Sequence, residues 1–478
     1  MKNLLVIAYY FPPAGGPPVQ RTLQHVRNLR QHGWNPIVLT VPADEYSEPA
    51  SPFRTSIDNS LLHDLPKDLE IHRIPSGQRF WLYRCLEKLR LSHLRDMFFI
   101  SPQGLDSAGV WNRRAVRAAQ AIAQRTRIDA IYVSLRPNSS AFIGTRLRKL
   151  LGVPVVLDFR DPWTQYFLAT FPTWLHYKIS QWQEKSAVRQ ADHVITVTPT
   201  ARTNLLEWCS FLSPNKVSCI TNGFCEEEFS VPEGSSPRDD IFRILYSGNF
   251  CGGPEDKPVA SRNAIEWVWR TLRQKLEYTP RRFDRVAHSP RFLLDAMSEL
   301  VAEDPSLRKR LRFVHIGPSG PSHVQYVRKL GLEECVEFCG FVPHAEAVER
   351  MLAANALFFC LADSPTGERN DCIPQKAFEY IASGKPVLAL SPPGDATELF
   401  ERTGVAEICP PRDIPAIKTA IRRLMSGSRA YTPNEAVRET YGRRQLTSRL
   451  VHILDLLVAS KGENVNSLAV GCPLPHSS

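Results

Sequence analysis

Two successive series of short β-rich runs, each interleaved with helical segments, constrain this chain of 478 residues more than any other feature. In the first series Leu4–Tyr10, Pro36–Val41, Ile71–Ile74, Ala130–Ser134, Pro154–Phe159 and His193–Val197 read as strands, with helices at Trp111–Arg125 and Ala141–Leu151. Such alternation is the pattern of a parallel, doubly wound sheet. The polar stretch SVPEGSSPRDD, Ser230–Asp240, breaks it and reads as a linker. The rhythm then restarts with FRILYSGN, LRFVHIG, VEFCGF, ALFFCLA, PVLALS and AEICPP. The chain is too long for one ordinary core, so two domains of the same class are expected. α/β sheets of this kind bind ligands at the carboxyl ends of their strands, which places the expected site in a cleft between the domains. The expected bounds are 1–235 and 241–440, with a helix over 441–460 returning to the first domain and a disordered tail over 461–478.

Between the first strand and the first helix stands YYFPPAGGPPVQR, residues 9–21. Pro17 and Pro18 suit a helix's first turn, and Gly15 and Gly16 permit close backbone approach. Amides near the two glycines are then placed to face an anion at the positive end of the helix dipole, with Arg21 one turn in. A tight turn without a ligand is the alternative.

The net charge of +10 favours an anionic partner: a nucleotide diphosphate, nucleic acid or an anionic membrane surface. No nucleic-acid-binding signature selects the second. No apolar run reaches the ~18 residues that span a bilayer, and Leu4–Phe11 lacks a cleavage pattern. The eleven cysteines include no C-x-x-C pair and no zinc spacing, so reduced thiols in the cytoplasm are the simplest account. Two basic, aromatic stretches, residues 79–100 and the segment ASRNAIEWVWRTLRQKLEY from Ala260, have the composition of interfacial helices, although such stretches more often cover a domain core.

The strongest functional signal is NDCIPQKAFEYIASGKPVLALSPPGD, residues 370–395. Asp371 and Glu379 flank Lys376 at the start of a helix ending near Gly384; carboxylates there can accept from sugar hydroxyls and the lysine can meet phosphate. On spacing alone this is a common helix start. With YYFPPAGGPPVQR, VPVVLDFRDPW, ADHVITVTPTARTNL, ITNGF, YSGNF and HIGPSG in this order, however, the chain resembles the family 4 glycosyltransferases of the GT-B fold from Asn3 to about Leu457. Agreement is weaker near 45–100 and 254–287.

The resemblance implies an α/β GT-B architecture of two Rossmann-like domains facing each other across a cleft, and a retaining, metal-independent transfer from a nucleotide diphosphate sugar. Glu379 would bind the ribose hydroxyls. Asp371 takes the first acidic position, which faces the transferred sugar, although aspartate is one methylene shorter than the usual glutamate. Lys376 would stabilise charge on the leaving diphosphate, and Gly15, Gly16, Gly248 and Asn249 would line the donor site. Two departures stand out. SLRPNSSA puts Ala141 where many members have a histidine. The arginine that grips the diphosphate has no clear counterpart behind SGNFCGG; His288, Arg291 and Arg262 are replacements, with Arg291 assigned to the donor. In DFRDPW, Arg160 is assigned to an anionic acceptor or phosphate and counted with Asp371 and Lys376 as catalytic. Asp158 and Asp161 are placed on the acceptor side, a structural ion pair being the alternative.

The expected function is sugar transfer to a hydroxyl of a glycan or lipid-linked acceptor in bacterial surface polysaccharide assembly, in the cytoplasm or at the inner face of the plasma membrane. Two other classes stay open: a nucleotide-sugar 2-epimerase of the same fold, and a catalytically silent binding subunit, for which Ala141 argues.

Overall fold

The computed structural model describes residues 1–48, 51, 53–77, 84–85, 88, 108–229, 239–255, 271, 275–428, 431 and 433–460. Most of the linker, nearly all of the two basic aromatic stretches, Arg262 and the tail from 461 lie outside them.

The chain divides into two units. The first comprises 1–221, 261–280 and 444–478, and the second 222–260 and 281–443. The first is built on a parallel sheet of β1 (Lys2–Ala8), β2 (Trp34–Thr40), β3 (Glu70–Arg73), β4 (Ala130–Ser134), β5 (Val155–Phe159), β6 (His193–Thr196) and β7 (Val217–Cys219), in the order β3-β2-β1-β4-β5-β6-β7. Strand β1 shows why its run is apolar throughout. Leu5 and Ile7 enter the core on one face while Leu4, Val6 and Ala8 enter the other, as a two-sided parallel sheet requires.

That second face is closed by the helix Arg443–Ala459, whose Leu446, Leu450, Ile453, Leu454 and Leu457 pack with Leu4 and Val6. Asp455 at its far end accepts from Lys2 Nζ at 2.6 Å and Trp34 Nε1 at 2.9 Å. The end of the second basic, aromatic stretch also belongs here. Phe171 and Tyr278 exchange two backbone hydrogen bonds of 2.9 Å, and Tyr278 stands against Tyr177 with ring centroids 4.8 Å apart.

The second unit repeats the plan with β8 (Phe242–Ser247), β9 (Leu311–Ile316), β10 (Val336–Gly340), β11 (Ala356–Cys360), β12 (Val387–Leu390) and β13 (Ala406–Cys409), in the order β10-β9-β8-β11-β12-β13, all parallel. All six expected runs form strands. In each sheet the direction of winding reverses beside the first strand, between β1 and β4 and between β8 and β11. Those two crevices are where α/β sheets bind ligands.

Candidate functional site

In the second unit the crevice is lined by the loop after β8, the turn 370–374 and the helix Gln375–Ser383. This helix buries Ala377, Phe378, Tyr380 and Ile381 and stops at Gly384, which takes the left-handed conformation at φ 65°. Lys376 and Glu379 are left half-buried. Tyr380 fixes the helix to the sheet, because its hydroxyl accepts from Ser247 N at 3.0 Å. The turn before the helix is held as tightly: Asn370 is fully buried, its side chain donating to Ala362 O at 2.8 Å and accepting from Cys372 N at 2.9 Å. Gly394 must be glycine, as a Cβ there would lie 2.1 Å from Asn370 O.

Lys376 reaches the end of β8. Its ammonium donates to the Tyr246 hydroxyl and stands 3.9 Å from the Tyr246 ring centroid. Gly248 follows at φ 118°, and a Cβ on it would lie 3.2 Å from Lys376 Nζ. Loss of water lowers the Lys376 pKa from 10.5 to about 8. Asn249 is exposed, its carbonyl accepting from Tyr246 Oη at 2.9 Å. Glu379 lies near enough to Lys376 and His344 to favour the charged form of each. Among the described residues its carboxylate accepts no hydrogen bond and pairs with no cation.

Two histidines, His288 and His315, lie near enough to feel the charge of this lysine, and with the neighbouring His323 they are held neutral. Burial, then the Lys376 charge, push His288 down to about 3; burial first takes His315 to about 4 and also lowers His323. His315 Nε2 donates to Gly248 O at 3.0 Å, and Gly320 N donates to His323 Nδ1 at 3.3 Å. Among the described residues neither ring nitrogen of the buried His288 has a hydrogen-bond partner. Of the candidates for the diphosphate grip, His288 is therefore beside Lys376. Arg291 instead donates to Pro254 O at 3.1 Å and faces Asp295 at 3.7 Å.

Asp371 is almost fully buried and not bare. Arg281 Nη1 lies 2.9 Å from both its oxygens while Nε reaches Glu368 at 2.6 Å. Burial pushes the Asp371 carboxyl up, opposed by that guanidinium. Arg281 has no signal in sequence: it is ninety positions from its partner, at the end of the stretch least like the family.

In the first unit the expected residues gather at the carboxyl ends of β1, β4 and β5, with different roles. Asp158 is completely buried; Arg21 Nε and Nη2 donate to its two oxygens at 2.6 and 2.9 Å and Tyr132 Oη donates to one. The expectation that Asp158 holds an acceptor hydroxyl is corrected, because its oxygens are already used in an internal pair. Arg21, whose Nη1 donates to Thr221 O at 2.7 Å, is bound by the same pair and not presented to an anion. Arg160 is buried too, donating through Nε to Leu135 O at 2.6 Å, with its guanidinium 5.9 Å from the Tyr10 ring centroid. Burial, then Arg136, lower its pKa. Asp161 is part-exposed and pairs with Arg136 at 3.0 Å.

The glycine loop also differs from expectation. Gly15 N donates to Ser56 O at 2.8 Å, and a Cβ on Gly15 would meet Ser56 Oγ at 2.8 Å, so this glycine serves close chain packing. Pro17 and Pro18 have no N–H, and Val19 N is spent on Gly16 O at 3.1 Å. Gly16, exposed at φ 89°, has the one N–H of residues 15–19 that bonds to none of the described residues.

Two Rossmann-like units, each built on a parallel doubly wound sheet, are the architecture of the GT-B class of two-domain enzymes. Residues 16–223 match the model of the glycosyl transferase 4-like domain and residues 280–427 that of glycosyl transferases group 1, together about three quarters of the chain. The chain belongs to the GT4-like glycosyltransferases. Solved structures agree in fold. A glycosyltransferase from Rickettsia africae ESF-5 superposes with TM-score 0.59 at 14% identity, covering 97% of this chain and 99% of that one. The lipopolysaccharide outer core galactosyltransferase WaaB gives 0.54 at 14% over 96% and 100%. A UDP-GlcNAc 2-epimerase from Neisseria meningitidis bound to UDP-GlcNAc gives 0.52 at 13% over 95% and 100%. No curated protein matches the chain in sequence.

Proposed function

We propose that this glycosyltransferase moves a sugar from a nucleotide diphosphate sugar to a hydroxyl of a glycan or lipid-linked acceptor, with retention and without a metal ion. The observation that carries the reading is the pair presented by the helix Gln375–Ser383: Lys376 against the end of β8 and Glu379 with a free carboxylate. Glu379 accepts from the two ribose hydroxyls, and Lys376 meets the diphosphate in the space that Gly248 leaves open. Lys376 stabilises the charge that develops as the diphosphate leaves, which is the part of the barrier a fixed cation lowers most. Asp371 acts as a pair with Arg281, so the transferred sugar meets a neutralised acid and not a bare carboxylate. Arg160, beside the part-exposed Arg136–Asp161 pair, is the residue of the first unit that meets an anionic acceptor or phosphate. The likeness to WaaB favours a bacterial surface glycan as the setting.

The epimerase reading rests on the shared fold alone. Incubation with nucleotide sugars, with and without lipid-linked glycans, separates the two. Transfer only with acceptor, an α-linked product from an α-linked donor by NMR and full activity in chelator are expected. An epimerised donor formed without acceptor would overturn the proposal.

A further inference from the structure

The helix Trp174–Gln190 turns a largely polar face to the core and its largest apolar side chains to solvent. It buries Ser180, Gln181, Gln183 and Glu184 beside Ala187 and Val188, whereas Trp174, Leu175 and Trp182 are 56, 59 and 68% exposed. At about 100° per residue, Trp174, Leu175, Lys178, Trp182, Lys185 and Arg189 all fall within an arc of about 100°. The only acid of the helix, Glu184, points inward and accepts from Thr164 Oγ1. The outward face is therefore made of two tryptophans, a leucine and three cations, with no carboxylate.

The cations lie on the aromatic rings. Lys178 Nζ is 5.3 Å from the Trp174 ring centroid, Lys185 Nζ 3.7 Å from that of Trp208, and the Arg189 guanidinium 4.2 Å from that of Phe211, itself 41% exposed. This arrangement holds charge at the edge of an apolar surface. Indole rings with adjacent lysines and arginines are the composition that settles at the boundary of headgroups and acyl chains.

We propose that this face, Trp174 to Arg189 with Phe211, docks the first unit onto an anionic lipid bilayer. The occupant follows from charge and depth. The cations, on a chain of net charge +10, fit a negative surface, while the exposed indole rings fit the boundary of headgroups and acyl chains. Among the described residues no helix is long and apolar enough to span, so the contact is peripheral. The surface is argued independently of the sugar-transfer reading and stands or falls without it.

The test is sedimentation of the full chain with vesicles of phosphatidylcholine alone and of phosphatidylcholine with phosphatidylglycerol. Binding is expected only with the anionic lipid and should weaken with salt. Trp174→Ser/Trp182→Ser should abolish it, and Lys178→Glu should weaken it at least fivefold, the worth of about one basic side chain near such a surface. The substituted side chains are exposed, so the thermal midpoint and near-ultraviolet dichroism should stay near the parent's, and indole fluorescence of the parent should be quenched by brominated acyl chains. Binding to neutral vesicles as well, no binding to either, or undiminished binding of the double variant overturns the proposal. So does a concentration-dependent dimer that the same substitutions dissociate in a protein that ignores vesicles, which would make the face a contact between two copies.

Discussion

Lys376 gives the donor-site reading a pH signature that can be worked out in advance. Its pKa is lowered from 10.5 to about 8, chiefly by loss of water. A lysine depressed in this way is charged below about pH 8 in the free protein and neutral above it. A bound diphosphate favours the ammonium and raises the pKa again, so binding must draw in a proton wherever the free lysine has lost one. At pH 8 the uptake should be about half a proton and at pH 9 about nine tenths. Affinity should correspondingly fall about tenfold per unit above pH 8 until the pKa of the complex is reached. Calorimetric titration with nucleoside diphosphate in buffers of different ionisation enthalpy measures the uptake directly. Lys376→Met supplies the baseline, since the ligand's own titration is common to both proteins; it keeps an unbranched side chain over Tyr246 and should bind ~10- to 100-fold more weakly at pH 7, the ~1.5–3 kcal/mol of a hydrogen bond to a charged group. Equal proton uptake by parent and variant at pH 8, with affinity flat from pH 7 to 9, would refute the placement of the diphosphate on this lysine.

Three further outcomes follow from the same geometry. Glu379→Gln should lower affinity for the bare diphosphate about tenfold to a hundredfold by calorimetry, while Asp371→Asn should weaken the nucleotide sugar and spare the bare diphosphate; the reverse pattern would exchange their roles. Buried Glu184 has its pKa raised from 4.5 to about 7 by burial, so the folded chain holds a proton that the unfolded chain has lost between those values. Parent stability should then fall by ~1.4 kcal/mol per unit across that window, ~3 kcal/mol in all, and Glu184→Gln should lose that slope in parallel urea titrations at pH 4.5 and 8; identical slopes refute the burial argument. Arg21→Ala should cost ~3–5 kcal/mol by leaving Asp158 buried and short of its cation, whereas Asp161→Asn, on a part-exposed pair, should cost under ~1 kcal/mol in the same assay.

What the sequence disclosed and what it hid divide along the range of the interaction. The strands of both sheets are legible because a parallel strand buried on both faces must be a continuous apolar run, as Leu4 to Ala8 is. Strand β7, Val217–Cys219, is too short to carry such a signal. Lys376 and Glu379 are legible as a local motif, since both sit on one helix. Arg281 on Asp371 and Arg21 on Asp158 are contacts over 90 and 137 positions, and no local pattern marks either. The same reason explains the glycine loop: the spacing fixes where the chain turns, while the Gly15 amide is claimed by Ser56, forty-one residues on. The helix Trp174–Gln190 is hidden differently. Hydrophobic periodicity finds a helix by assuming its apolar face turns inward. Here Ser180, Gln183 and Glu184 face in and the tryptophans face out. Natural surfaces expose scattered apolar side chains without consequence, but here two tryptophans and a leucine share one arc of a helix with three cations and no carboxylate. Such a face matches a surface that is apolar below and negatively charged above, and it adds nothing to the core of the unit that carries it.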